Sequence, residues 1–155
     1  MNNDRGKRTS MNDRIVHEIV YPHPIWNVWQ ALTTSESLAQ WLMPNDFVPQ
    51  IGHHFTFRVG PQEGWSGVME CQVVALDAPH RLAFTQRGDP QMPPTLVVFT
   101  LEPVGQHTRL RLEHSGFAAS GAAGEHLRKQ LDSGWGSKKL REQLPQLLDQ
   151  LATAS

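Results

Sequence analysis

Between residues 51 and 114, apolar side chains recur at every second position in five successive segments. Successive side chains of a strand point to opposite faces, so this period is a strand period. Segment 51–59 sets Ile51, Phe55, Phe57 and Val59 against His54, Thr56 and Arg58. Segment 65–76 sets Trp65, Met69, Cys71 and Val73 against Glu70 and Gln72. Leu82 and Phe84 point one way in segment 81–87, as do Val97, Phe99 and Leu101 in 95–102. In 107–114, Thr108, Leu110, Leu112 and His114 oppose Arg109, Arg111 and Glu113. Gly60, Pro61 and Gly64, then "DAPH" (77–80), "GDPQMPP" (88–94) and "PVGQ", separate the segments as turns and loops. Such alternation with short connections predicts an antiparallel meander with one face on a core.

The flanks add helices. "DRIVHEIVY" (13–21) reads as a strand that Pro22 and Pro24 end. Pro24 suits the first turn of a helix, and Ile25, Val28, Trp29 and Leu32 share one helical face, with Trp26 off it. "TTSE" (33–36) has the form of a capping box from Thr33 to Glu36, opening a second short helix with Leu38 and Trp41. Pro44 closes it. "SGFAASGAAG" (115–124) is small and flexible, and a helical pattern then runs to about residue 152. The order is strand, two short helices, five strands, long helix: an α+β class, with a curved sheet of about six strands and helices on one side. Residues 1–12 are polar and aperiodic and predict a disordered tail; 13–152 predict one domain.

The last helix carries an internal conflict. On an α-helical wheel of about 100° per residue, Leu140, Leu144, Leu147 and Leu151 form one stripe. Leu127, Leu131 and Trp135 form another, nearly opposite. Ser133, Gly136 and Ser137 extend the first stripe backwards. A continuous helix therefore predicts a sheet-facing side that changes from small residues to leucines near residue 140, with Trp135 packing sideways against the 115–124 loop or the short helices. A break at Gly134 or Gly136 is the other solution.

Composition excludes several functions. The net charge of -1 lacks the basic excess of a nucleic-acid binder. No apolar run approaches the roughly 20 residues of a membrane span, and no secretory signal opens the chain. The single cysteine, Cys71, can form no internal disulfide, which predicts a cytoplasmic protein. Its neighbours supply no electropositive setting for a thiolate, so it reads as a small core residue. Eight histidines occur, but without metal-binding spacing, and His53 and His54 point to opposite faces, so neither a metal nor another cofactor is expected. The carboxylates mostly fall on outward faces or in turns, without a pair placed for general acid and base work. Nucleotide and hydrolase motifs are absent. Arg128, Lys129, Lys138, Lys139 and Arg141 read as a solvated helix face or, secondarily, a partner surface.

"PIWNVWQALTTSESLAQW" (24–41) resembles the opening signature of the activator of heat shock protein 90 ATPase homologues, within the START-like (SRPBCC) superfamily that includes the birch-pollen allergen. Further similarities are "GxxF" (52–55), "GVME" (67–70), "VxFxLEP" (97–103), "TRLRLEHSGF" (108–117) and "GW" (134–135). "GHHF" departs from the pattern, which often has a second glycine. The resemblance implies a helix-grip fold, a sheet wrapped around the C-terminal helix with a cavity between. It implies a range of functions, from lipid, hormone and polyketide binding to cyclases and hydrolases.

Inner-face parity and this fold nominate Trp41, Phe55, Phe57, Trp65, Met69, Cys71, Phe84, Phe99, His114 and Trp135 as the lining of a ligand cavity. No residue is nominated as catalytic, although His114 would be the acid or base of a cyclase- or hydrolase-type enzyme. The expected partner is a small apolar ligand, lipid or polyketide-like, bound without catalysis. A chaperone is the alternative partner. A monomer or weak dimer is expected, with neither a nucleic-acid partner nor a membrane span.

Overall fold

A computed structural model describes residues 13–62 and 64–154. The expected tail, residues 1–12, lies outside the described residues. The chain runs β1 (Arg14–Tyr21), α1 (Ile25–Thr33), α2 (Ser35–Trp41), β2 (His54–Arg58), β3 (Val68–Asp77), β4 (Arg81–Arg87), β5 (Thr95–Val104) and β6 (His107–Ser115). A short 3₁₀ turn (Ala118–Ser120) leads into the C-terminal helix. This helix comprises α3 (Gly121–Ser133), a π-helical segment (Gly134–Gln143) and α4 (Leu144–Ala154). All strand pairs are antiparallel, in the order β1-β6-β5-β4-β3-β2. Strands β2 to β6 follow one another as the alternation predicts. The α1–α2 excursion returns the chain so that β1 pairs with β6, Ile15 beside His114 and Ile19 beside Leu110. The architecture is the α+β helix grip.

Parity selects the core. Phe55, Phe57, Cys71, Val73, Leu82, Phe84, Val97, Phe99, Leu101, Leu110, Leu112 and His114 are all buried on the helix-facing side. Three boundaries differ from expectation. Strand β2 is shorter than 51–59, because Gly52 and Gly60 both take φ of 87° and turn the chain at each end. Ile51 and Val59 consequently sit exposed. Trp65 lies ahead of β3, in an isolated bridge with Gln62. Within β3, a register shift between Val73 and Ala75 switches the face, so that Leu76 rather than Ala75 lies beside Leu82. The α2 cap is Thr34, one residue later than the capping-box reading. Its extended backbone (φ -121°, ψ 137°) suits a cap, and its hydroxyl accepts from the Ser37 N–H at 3.3 Å. Thr33 remains in α1 and donates to the Trp29 carbonyl instead.

The C-terminal helix resolves its two-stripe conflict without breaking. Gly134 is helical (φ -63°, ψ -47°), and the Leu144 N–H reaches back five residues to the Lys139 carbonyl. Bonding from i to i+5 advances each residue by roughly 80–85° rather than about 100°. Over the 10 residues of the π segment, the lag adds up to roughly half a turn. Both stripes therefore reach the same side. Trp135, Leu140, Leu144, Leu147 and Leu148 are buried, and Leu127 and Leu131 pack against the core edge. Each fully buried large apolar side chain stabilises by about 1.5–3 kcal/mol. Burying five outweighs the poorer hydrogen-bond geometry of a π-helix. Trp135 thus enters the core, where it meets Phe99 of the sheet as well as Trp41 of α2, one of the short helices expected beside it.

Side chains of β1 and the following turn fasten this helix. His17 Nε2 meets Asp132 Oδ1 at 2.7 Å, and His23 Nε2 meets Asp149 Oδ1 at 2.9 Å. Between them the Tyr21 hydroxyl donates to the Leu140 carbonyl at 2.5 Å. Gly136 allows the closest approach, because a Cβ there would lie 2.6 Å from His17 Cε1.

Candidate ligand cleft

A cleft of about 1080 Å³ opens between α3 and the β3–β4 end of the sheet. Val68 and Met69 of β3 and Gln86 of β4 form its sheet wall. Leu127 and Leu131, one turn apart on α3, form the helix wall. Trp65, Met92 and Pro93 close the loop side, and Met43 and Lys139 lie at another margin. Methionine side chains adapt to irregular shapes, so three of them make an accommodating apolar lining.

Local sequence explains how Trp65 comes to this wall. Gly64 (φ 76°) and Gly67 (φ 80°) bracket it in "GWSG". A Cβ on Gly67 would fall 1.9 Å from the Gly60 carbonyl oxygen, so the two strand ends cross at a distance only glycine permits. The indole N–H of Trp65 then donates to the Gly88 carbonyl at 2.9 Å.

Of the ten residues nominated from the sequence, Trp65 and Met69 line this cleft. Trp41, Phe55, Phe57, Cys71, Phe84, Phe99, His114 and Trp135 are buried in the core beside it. The aromatic rings among them form a connected cluster of edge-to-face and tilted contacts. Phe55 meets Phe84 at 5.5 Å between centroids, Phe84 meets Phe99 at 6.4 Å, and Phe99 meets Trp135 at 5.9 Å. Trp41 closes the group, 6.4 Å from both Phe99 and Trp135. Burial, foremost, with help from Asp46 and Glu70, pushes the Cys71 thiol up to about 12, which keeps it protonated and unreactive.

His114 is satisfied within the protein. An indole N–H can only donate, so the Trp135 Nε1–H, 3.2 Å away, makes Nδ1 the acceptor and leaves the proton on Nε2. Nε2 lies 2.7 Å from Thr95 Oγ1, whose hydroxyl donates onward to the Gln86 carbonyl. Burial lowers the His114 pKa to about 3, so the ring is neutral near neutral pH. Thr95 itself borders the cleft, which puts the histidine one residue behind the wall.

The polar lining was not legible beforehand. Lys139 belonged to the supposed solvated helix face, yet it lines the cleft half-buried. Its ammonium donates to the Leu42 carbonyl at 3.0 Å and to Gln143 Oε1 at 3.1 Å. Gln86 is only 7% exposed and also faces the cleft. Leu127 and Leu131 carried a signal, the second stripe of the wheel, but its direction depended on the π segment. Met43 and Met92 carried none, since they come from segments without periodicity. Among the described residues, no group of three His, Cys, Asp or Glu side chains is placed to hold a metal ion. No helix is long and apolar enough to cross a membrane among these residues.

A family model described as Activator of Hsp90 ATPase homolog 1-like protein matches residues 22–154. The chain belongs to this family. No curated protein matches the sequence. A solved protein from Mesorhizobium loti is 34% identical, with a TM-score of 0.77, over 88% of this chain and 97% of that one. A protein in the dynemicin biosynthetic locus shares the fold at 23% identity and a TM-score of 0.72. The match covers 88% of this chain but only 47% of that larger protein. An HSP90 activator from Plasmodium falciparum shares the fold at 17% identity and a TM-score of 0.67, over 83% of this chain and 91% of its own. The family relationship that the motifs suggested therefore holds in sequence, and the fold is shared with these solved structures. Within the Activator of Hsp90 ATPase homolog 1-like family, this chain combines a filled aromatic core with an open cleft beside it.

Proposed function

We propose that this protein binds a small hydrophobic or aromatic ligand, without chemical turnover, in the cleft between α3 and the β3–β4 end of the sheet. One observation carries the reading: a volume of about 1080 Å³ with Trp65, three methionines and two leucines on its walls. Ligand clefts commonly span about 300–1,000 Å³ with mostly apolar walls and few polar groups. A polyketide-like ligand is one of the classes that the family resemblance implied. The test is a titration with fatty acids, sterols and aromatic polyketides, followed by NMR. Saturable shifts are expected at the Trp65 indole N–H and the Met69 methyl. Leu131→Trp, which fills the cleft from a half-exposed wall, should weaken binding at least about tenfold and leave the melting temperature nearly unchanged. If none of the three ligand classes moves either resonance, the proposal fails.

A second reading is docking on a chaperone ATPase. The family's description and the fold shared with an HSP90 activator support it. Affinity capture from the native host, with the bait cross-linked, should then enrich a chaperone; recovery of bait alone argues against this reading.

A further inference from the structure

Several polar side chains line the cleft, and two of them, Lys139 and Gln86, leave hydrogen-bonding capacity unused within the protein. Lys139 carries a full positive charge and three N–H donors. The Leu42 carbonyl and Gln143 Oε1 take two of those donors, and both are neutral. Among the described residues, no carboxylate lies within ion-pair distance of its ammonium. Burial, then the neighbouring Lys138 charge, lowers the Lys139 pKa, which marks an ammonium short of compensation. Gln86 supplies the second observation. The residue is only 7% exposed and borders the cleft, and its side chain makes no hydrogen bond within the protein, while none of its polar atoms is sealed from the cleft. The amide therefore meets whatever occupies the cleft, and a ligand that displaces water there must match its donors and acceptor.

The acidic residues of the same cleft do not answer these donors. Glu70 pairs with Arg87 at 3.6 Å on an exposed rim. Asp89 accepts from the Gln91 backbone N–H at 2.9 Å, within its own loop.

Resting on the ligand-binding reading above, we propose that the ligand is an amphiphilic anion. Its apolar body lies between Trp65, Met69, Leu127 and Leu131. Its carboxylate or phosphate oxygens accept from the third donor of Lys139, and the Gln86 amide binds a polar group of the ligand.

Three probes of equal chain length separate the parts: dodecanol, dodecanoate and dodecyl phosphate, each titrated by calorimetry below its aggregation concentration. Both anions should bind at least roughly tenfold tighter than dodecanol, the size expected of one charge-assisted contact. Whichever anion binds more tightly identifies the head group. Lys139→Gln should bring the anions within about twofold of dodecanol, with the loss falling mainly on the anions. Gln86→Leu should lower anion affinity by more than it changes dodecanol affinity. Equal binding of the three probes to the wild type overturns this inference and leaves the apolar-ligand reading standing. An equal loss of dodecanol and anion binding in Lys139→Gln also overturns it, since the lysine would then act only by bracing Leu42. Failure of all three probes to bind removes this inference and counts against the reading beneath it.

Discussion

The two ends of the C-terminal helix face the same sheet on different terms. From Leu140 to Leu148 the four inward leucines are at most 3% exposed, in a stretch packed against α1, α2 and β1. Leu127 and Leu131 of α3 remain partly open, across a cleft from β3 and β4. The distal half supplies cohesion and the proximal half supplies volume, and the π segment between them sets the phase of each. A helix of uniform α geometry would have turned one stripe to solvent. The contrast teaches that an enclosed aromatic core and a ligand cleft are separate features here, although inner-face parity alone merges them.

The largest expected effect tests that division directly. Leu144→Ala leaves a cavity in a closed site and should cost about 2–5 kcal/mol in urea unfolding. Leu131→Ala removes a side chain that already borders open volume, so its cost should stay below about 1 kcal/mol. Equal losses at the two positions would break the comparison, because the proximal half would then be as cohesive as the distal one.

A second test concerns the wall between core and cleft. In the unfolded chain His114 takes a proton near pH 6.5, whereas in the folded protein burial defers this to about pH 3. Between those values the unfolded state holds the extra proton, so stability falls as pH falls through the window and is level above it. At pH 5 the loss attributable to this residue should be about 2 kcal/mol relative to pH 7. His114→Gln keeps a polar group for Trp135 and Thr95 but should flatten that part of the profile, measured as the difference between the two proteins' unfolding free energies. An unchanged slope would mean that the histidine is more accessible to water than its position behind Thr95 implies.

The fold was largely legible because the period-two pattern of 51–114 leaves few topologies for a single sheet, and Gly60, Pro94 and Gly105 mark its turns. What escaped was geometry that parity does not encode. The bulge after Val73 and the turn at Gly52 each shift side chains by one face or remove them from the sheet. The cleft was the least legible part. Trp65 and Met69 were visible through alternation, but Lys139 looks like any solvated lysine until Leu42 and Gln143 are placed beside it. Gln86 lies within a strand whose apolar neighbours mask it. The phase of Leu127 and Leu131 depended on i-to-i+5 bonding, for which the helical wheel has no term.

The smallest effects are expected at the two glycines that flank Trp135, and they test the phase itself. In a helix, replacing glycine by alanine gains up to about 1 kcal/mol by restricting the unfolded chain. Gly134 is helical with no atom within 4 Å of an added Cβ, so Gly134→Ala should show that gain as a modest rise in melting temperature. Gly136 differs, since its Cβ would meet the His17 ring at 2.6 Å while that ring is held by Asp132 at 2.7 Å. Displacing the ring and weakening its hydrogen bond costs about 1–3 kcal/mol, so Gly136→Ala should be net destabilising by about 1 kcal/mol despite the helix gain. In a His17→Ala background the obstacle is gone, and the same substitution should turn stabilising. A π segment that presented Gly136 to solvent would leave the two glycines equivalent in either background, and the shared phase of the two stripes would go with it.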